Sequence, residues 1–129
     1  MEQSNIKEQY TVSKRMEIAA AHRLTLDYES KCTNLHGHNY IVVVEFKATK
    51  LNHNGMVVDF AHVKRQIHNV LDHAYLNDIL PNNPTAENMG KWIAIECDKL
   101  CHNEAYCSKV SVQESEGNIA TYEKDKKLA

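Results

Sequence analysis

Residues 31 to 40 read KCTNLHGHNY, which places Cys32, His36 and His38 at the entrance to a run of β-branched residues. On an extended strand, residues i and i+2 project from one face, so the imidazoles of His36 and His38 can converge on a single ion. His22 ends an earlier alternating stretch, YTVSKRMEIAAAH, with the parity to face the same way. Three neutral imidazoles leave a tetrahedral Zn2+ one open position, the arrangement of catalytic rather than structural zinc. The plainer reading is a His-x-His pair in a polar loop, with His22 an ordinary strand-end residue. Cys32 divides in the same way. As a fourth ligand it closes the site and makes it structural; held off the metal, it is a base or nucleophile.

Other residues compete for a chemical role. Asp72 and His73 have the makings of a carboxylate–imidazole pair for proton transfer. Neighbouring residues do not face each other on a regular helix, so the pair works only if the helix unwinds there. Without unwinding, LDH is a helix end whose imidazole suits the dipole. Glu114 shares the strand parity of Val110 and Val112. A carboxylate on an apolar face is a binding-site signal, suited to two parallel N–H bonds from the edge of a guanidine-like heterocycle. Cys97, Cys101, His102 and Cys107 form a rival cluster. Cys-x-x-x-Cys puts two sulfurs on one helical face, but the spacing matches no zinc finger well, and small buried thiols are the plainer reading.

The elements that must position these residues follow from periodicity. A strand is expected from Tyr10 to His22, with Tyr10, Val12, Met16, Ile18 and Ala20 on one half-buried face, then a loop, then a long strand from about His36 to Thr49. LNHNG supplies a turn, with MVVDF as a short return strand. From Asp59, a plausible N-cap, Phe60, Val63, Ile67, Val70 and Leu71 recur at helical spacing. A second helix opens at Asn83 and Pro84 and buries Met89, Trp92, Ile93 and Leu100. CSKVSVQES and NIATYE alternate around Glu116 and Gly117 as a closing hairpin. Strands flanking a pair of helices predict an α+β fold: an antiparallel four-stranded sheet with two helices on one face, in the order ββααββ. One domain spanning 1–129 is expected, with flexible ends at 1–8 and 124–129.

Composition narrows the partners. Fifteen basic and seventeen acidic residues give a net charge of −2 with no basic block to track a phosphate backbone, which argues against nucleic acid. No run of eighteen apolar residues exists and the N-terminus is polar, so a membrane is not expected and a cytoplasmic protein is. In that compartment four cysteines read as free thiols, ligands or catalytic groups rather than disulfides. Eight histidines stand out, because imidazole both binds metals and titrates near neutrality.

AAAHRL, CTNLHGHNY, VVDF, LDHAYLND, NPTAEN and VQES, in that order, resemble the motifs of the 6-pyruvoyltetrahydropterin and 6-carboxytetrahydropterin synthase family across nearly the whole chain. The resemblance implies that His22, His36 and His38 hold Zn2+, that Cys32 is the catalytic base and that Asp72 with His73 relays a proton. It implies that Glu114 anchors the pterin and that Thr85 and Glu87 line its pocket. The implied fold is the tunnelling fold, assembled as a homohexamer of two trimers with active sites between subunits. The implied substrate is 7,8-dihydroneopterin triphosphate, taken to 6-carboxytetrahydropterin and acetaldehyde on the queuosine route, or to 6-pyruvoyltetrahydropterin for biopterin. The style of the motifs favours the first branch. Met16 departs from the aromatic residue the family often has there. Lys14, Arg23 and Lys31 are candidates for the triphosphate by proximity alone.

Overall fold

The structure is a computed structural model and describes residues 5–102 and 104–126. Alternating β-branched and aromatic residues drive the first part of the chain into two 13-residue strands, β1 (Tyr10–His22) and β2 (His36–Ala48). They pair antiparallel along their whole length, from Tyr10 opposite Ala48 to His22 opposite His36. Because side chains alternate, this register places Met16, Ile18 and Ala20 beside Tyr40, Val42, Val44 and Phe46 on one buried face. β4 (Tyr106–Ser115) adds Val110 and Val112 to that face, and β5 (Asn118–Glu123) returns through a turn in which Gly117 takes a φ of 79°. Glycine adopts that backbone without a Cβ clash.

The sheet has five strands, not the four expected, and is mixed rather than antiparallel. Its order is β3-β1-β2-β4-β5, where β3 is only Ala74–Tyr75 and runs parallel to β1. Two residues carry no period, so LDHAYLND alone does not disclose this strand. The expected return strand in MVVDF is absent as well. The turn before it forms, with Asn52 Oδ1 accepting from Asn54 N and Met56 N, but Val57 and Val58 then pack into the core as irregular chain.

Helix α1 covers residues 60–71 as Phe60–Val63, a π-helical turn at Lys64–His68, and Asn69–Leu71. Asp59 caps it, its Oδ1 accepting from Ala61 N at 2.8 Å. The buried residues Val63, Ile67 and Leu71 are spaced by four, more than the 3.6 of an α-helix, and a widened π turn keeps them facing inward. Phe60 and Val70, expected on the buried face, are exposed. Helix α2 (Ala86–Asp98) is capped by Thr85, whose Oγ1 accepts from Asn88 N, so Pro84 stands just before the cap rather than in the first turn. Its Met89, Ile93, Ala94 and Cys97 are buried, while Trp92 and Leu100 are only partly so.

Of the expected flexible ends, residues 1–4 and 127–129 lie outside the described residues. Lys124 is tied down, its amide donating to Ser108 O at 2.9 Å and its ammonium pairing with Asp98. No helix among the described residues is long and apolar enough to cross a membrane.

Phe46, near the end of β2, is fully buried on the sheet's packed face. Phe46→Ala is expected to lower unfolding stability by about 3–5 kcal/mol, read as a reduced urea midpoint with an unchanged slope.

Candidate active site

The register that pairs His22 with His36 and Ala20 with His38 delivers three imidazoles to one end of the packed face. Their ligand nitrogens lie within 4.8 Å of one another, the one such group of three among the described residues. The outer nitrogens are already engaged. His22 Nδ1–H donates to Pro84 O at 2.8 Å, with the Tyr40 hydroxyl 3.2 Å from the same nitrogen, and His36 Nδ1–H donates to Asn34 O at 2.7 Å. Carbonyl partners fix both rings in the tautomer that leaves Nε2 a bare lone pair. Those two Nε2 atoms are 3.0 Å apart, and His38 Nε2 is buried without a hydrogen-bond partner. Facing lone pairs in a desolvated corner repel unless a cation lies between them, so the residues fit a bound metal ion. His22 is fully buried, and that burial pulls its pKa below 6.5, which keeps the ring neutral as a ligand must be.

Two asparagines hold this end of the chain in place. Asn77 brackets the backbone of Arg23 and Asn83 brackets that of Thr25, each amide accepting from the N–H and donating to the C=O at 2.9–3.0 Å. The side chains act as surrogate strand partners beyond the end of β1, and they bring Pro84 O against His22.

Glu114 Oε2 lies 3.8 Å from both His22 Nε2 and His38 Nε2. Its proximity and burial together push the Tyr40 hydroxyl pKa upward, burial being the larger cause, so Tyr40 stays protonated. Glu114 also lines a cavity of about 400 Å³ with Thr85 and Glu87. The three residues expected to bind substrate therefore meet in one place, although the Thr85 hydroxyl is committed to capping α2.

At the end of α1 the helix does unwind. Asp72 leaves it with ψ 129°, and His73 takes a φ of 62°, a left-handed backbone that costs a non-glycine residue about 1–3 kcal/mol. The turn lets the neighbours meet, with His73 Nδ1–H donating to Asp72 Oδ2 at 2.9 Å. Ala19 in β1 holds both residues, its N–H donating to Asp72 Oδ1 at 2.9 Å and its C=O accepting from His73 N. His73, 82% exposed, shares a cavity of about 450 Å³ with His38.

A family model described as 6-pyruvoyl tetrahydropterin synthase matches residues 11–125. The chain belongs to this family. A 6-carboxy-5,6,7,8-tetrahydropterin synthase from Synechocystis is 38% identical over 94 residues, covering 65% of this chain and 71% of that protein. The Bacillus subtilis enzyme of the same name is 29% identical over 124 residues, covering 88% and 84%. The solved structure of the Caenorhabditis elegans 6-pyruvoyl tetrahydropterin synthase superposes with a TM-score of 0.72 at 26% identity, covering 92% of this chain and 97% of that one.

Within this tetrahydropterin synthase fold, Cys32 sits on a 3-10 turn, Lys31–Thr33, capped by the Ser30 hydroxyl and tied to the end of β1 by Leu24 N donating to Cys32 O at 2.9 Å. Half-buried, its thiol is not among the clustered ligand atoms. The cysteines at the far end of α2 do not form a second metal centre. Cys97 and Cys107 are fully buried; the hydrogen bond between them and burial push the Cys97 thiol up, and burial pushes Cys101 up to about 12. Lys14 pairs with Val44, eight residues along β1 from His22, about 26 Å at the strand rise, which removes it from the site. Arg23 and Lys31 lie at the site's end and are exposed. Sequence reasoning missed Tyr40, although it continues the His36, His38 alternation. The Pro84 and Asn34 carbonyls carry no sequence signal.

The Ala19 amide, then His73 and His68, hold the Asp72 carboxyl below its usual 3.8 against an opposing desolvation. A lowered folded-state value means the stabilisation is present above 3.8 and is lost as pH falls through the folded value. The urea midpoint of Asp72→Ala should lie below that of the parent near neutrality, and the gap should narrow as pH drops below 3.8. A gap that stays constant with pH would show that the carboxylate charge contributes nothing.

Proposed function

We propose that the protein is a Zn2+-dependent lyase that converts 7,8-dihydroneopterin triphosphate and one water to 6-carboxy-5,6,7,8-tetrahydropterin, acetaldehyde and triphosphate on the route to queuosine and other 7-deazapurines. The observation that carries the proposal is the convergence of three imidazole Nε2 atoms with Glu114 beside them and a second cavity reaching His73. The Synechocystis and Bacillus relatives bear the corresponding name.

His22, His36 and His38 would hold the ion. When bound, zinc supplies Lewis-acid stabilisation of negative charge on the substrate's side-chain oxygens. Glu114 accepts N–H bonds from the pterin edge, while Glu87 and the Thr85 turn shape the pocket around it. Cys32 takes a proton from the substrate side chain. His73 transfers a second one at Nε2, because Asp72 fixes its proton on Nδ1. The working unit is a single domain over 1–129 in a cytoplasmic homohexamer of two trimers, with no nucleic-acid or membrane partner. A dyad at an exposed chain turn suits a site completed between subunits. The likeness to the C. elegans structure favours a second reading, triphosphate elimination to 6-pyruvoyltetrahydropterin.

Zinc-loaded protein incubated with 7,8-dihydroneopterin triphosphate should yield 6-carboxytetrahydropterin by mass spectrometry and equimolar acetaldehyde. 6-Pyruvoyltetrahydropterin without acetaldehyde would establish the second reading, and no product at all would sink both. Cys32→Ala should keep about one zinc per chain by elemental analysis and lose turnover by roughly 10²-fold or more. Loss of zinc in that variant would instead make Cys32 a ligand of a structural, non-catalytic site. His38→Ala should lose the metal, since two imidazoles remain.

A further inference from the structure

Asp72 has a second imidazole neighbour that the dyad does not account for. His68 Nε2 lies 3.9 Å from Asp72 Oδ2, the same oxygen that accepts from His73 Nδ1–H at 2.9 Å. The placement follows from α1. His68 is the last residue of the π turn, and the final helical hydrogen bond, Asp72 N to His68 O at 2.9 Å, sets it one turn before the carboxylate. On a helix, i and i+4 share a face. The ring is largely covered, at 26% exposure, and its Nδ1 is buried with no partner. A buried N–H without an acceptor is rarer than an under-used lone pair, so the neutral ring carries its proton on Nε2, toward Asp72.

We propose that His68 is a positioning residue that holds the Asp72 carboxylate from the side opposite Ala19, so that a His68–Asp72–His73 chain orients the exposed ring of His73. Ala19 N–H fixes Oδ1, and the two imidazoles share Oδ2. Ala19 and His73 each hydrogen-bond one carboxylate oxygen, and His68, at 3.9 Å from Oδ2, adds a longer-range attraction that favours the charged carboxylate in the orientation that receives His73. It does so from the end of α1 rather than from the strands that carry the three clustered imidazoles.

The groups facing Asp72 are His68 and His73 from its own segment and the Ala19 amide from β1. Removing His68 takes away one interaction that favours the charged carboxyl. The proton-relay consequence rests on the lyase reading of the site, whereas the effect on Asp72 does not.

The test uses full-length His68→Leu, which removes the donor, and His68→Gln, which keeps an N–H at similar reach. Carbon-13 NMR of the Asp72 carboxyl should show its titration midpoint moving up in His68→Leu and returning toward the parent in His68→Gln. With 7,8-dihydroneopterin triphosphate, kcat should fall about 2- to 5-fold in His68→Leu, the size expected of a partly exposed ion pair, with KM within about 2-fold, and recover in His68→Gln. If His68→Leu does not fold, His68→Ala takes its place. An unmoved Asp72 midpoint with only a lower thermal midpoint would overturn the proposal and leave His68 as a helix-end pair. A parent that makes no pterin product would remove the lyase reading, while the Asp72 titration would still decide the role of His68.

Discussion

His22 carries the constraint on which the rest of the site depends. Its ring is fully buried, its Nδ1–H is spent on the Pro84 carbonyl, and its Nε2 lone pair is thereby aimed at that of His36. A buried nitrogen without a partner costs about 1–3 kcal/mol, and two acceptors turned toward each other add repulsion. Such a corner is tolerable only where something positive sits in it. The β1–β2 register creates it, and the Asn77 and Asn83 clamps keep the carbonyl of Pro84 where the ring needs it.

The end of β1 also positions Asp72 and His73. Ala19 holds Asp72 through its N–H and His73 through its C=O, Ala20 pairs with both His38 and Ala74, and His22 is a candidate ligand. The two-residue strand β3 adds little to the sheet. It matters because it pins the chain just after a left-handed His73, a backbone that persists only where neighbours on both sides enforce it. The imidazole cluster and the Asp72–His73 pair are thus coupled through one stretch of backbone.

The four cysteines show how environment sorts identical chemistry. Cys97, Cys101 and Cys107 pack at the far end of α2, where the hydrogen bond with Cys107 and burial push the Cys97 thiol up and burial pushes that of Cys101 up. Cys32 alone stands on a polar, capped turn whose backbone is tied to the site end of β1. Position relative to the imidazoles, not residue type, is what separates a candidate base from core packing.

Alternation and helical spacing were enough to locate β1, β2, α1, α2 and the closing hairpin, because those patterns record which residues must leave water. They also placed His22, His36 and His38 on one face, since strand parity is a local property, and put Glu114 on the apolar side of its strand. Other features depended on contacts between distant segments. The extra strand β3 is too short to have a period, and MVVDF packs into the core without a partner strand. The π turn that keeps Val63, Ile67 and Leu71 facing inward arises from fitting four-residue spacing against the sheet. Asp72 and His73 meet only because Ala19, more than fifty residues earlier, stabilises an unwound helix end. The sequence by itself determined which side chains share a face. Tertiary structure decided which of them touch, because hydrogen bonds from remote backbone, Pro84 to His22 and Ala19 to Asp72, set the direction in which each ring and carboxylate points.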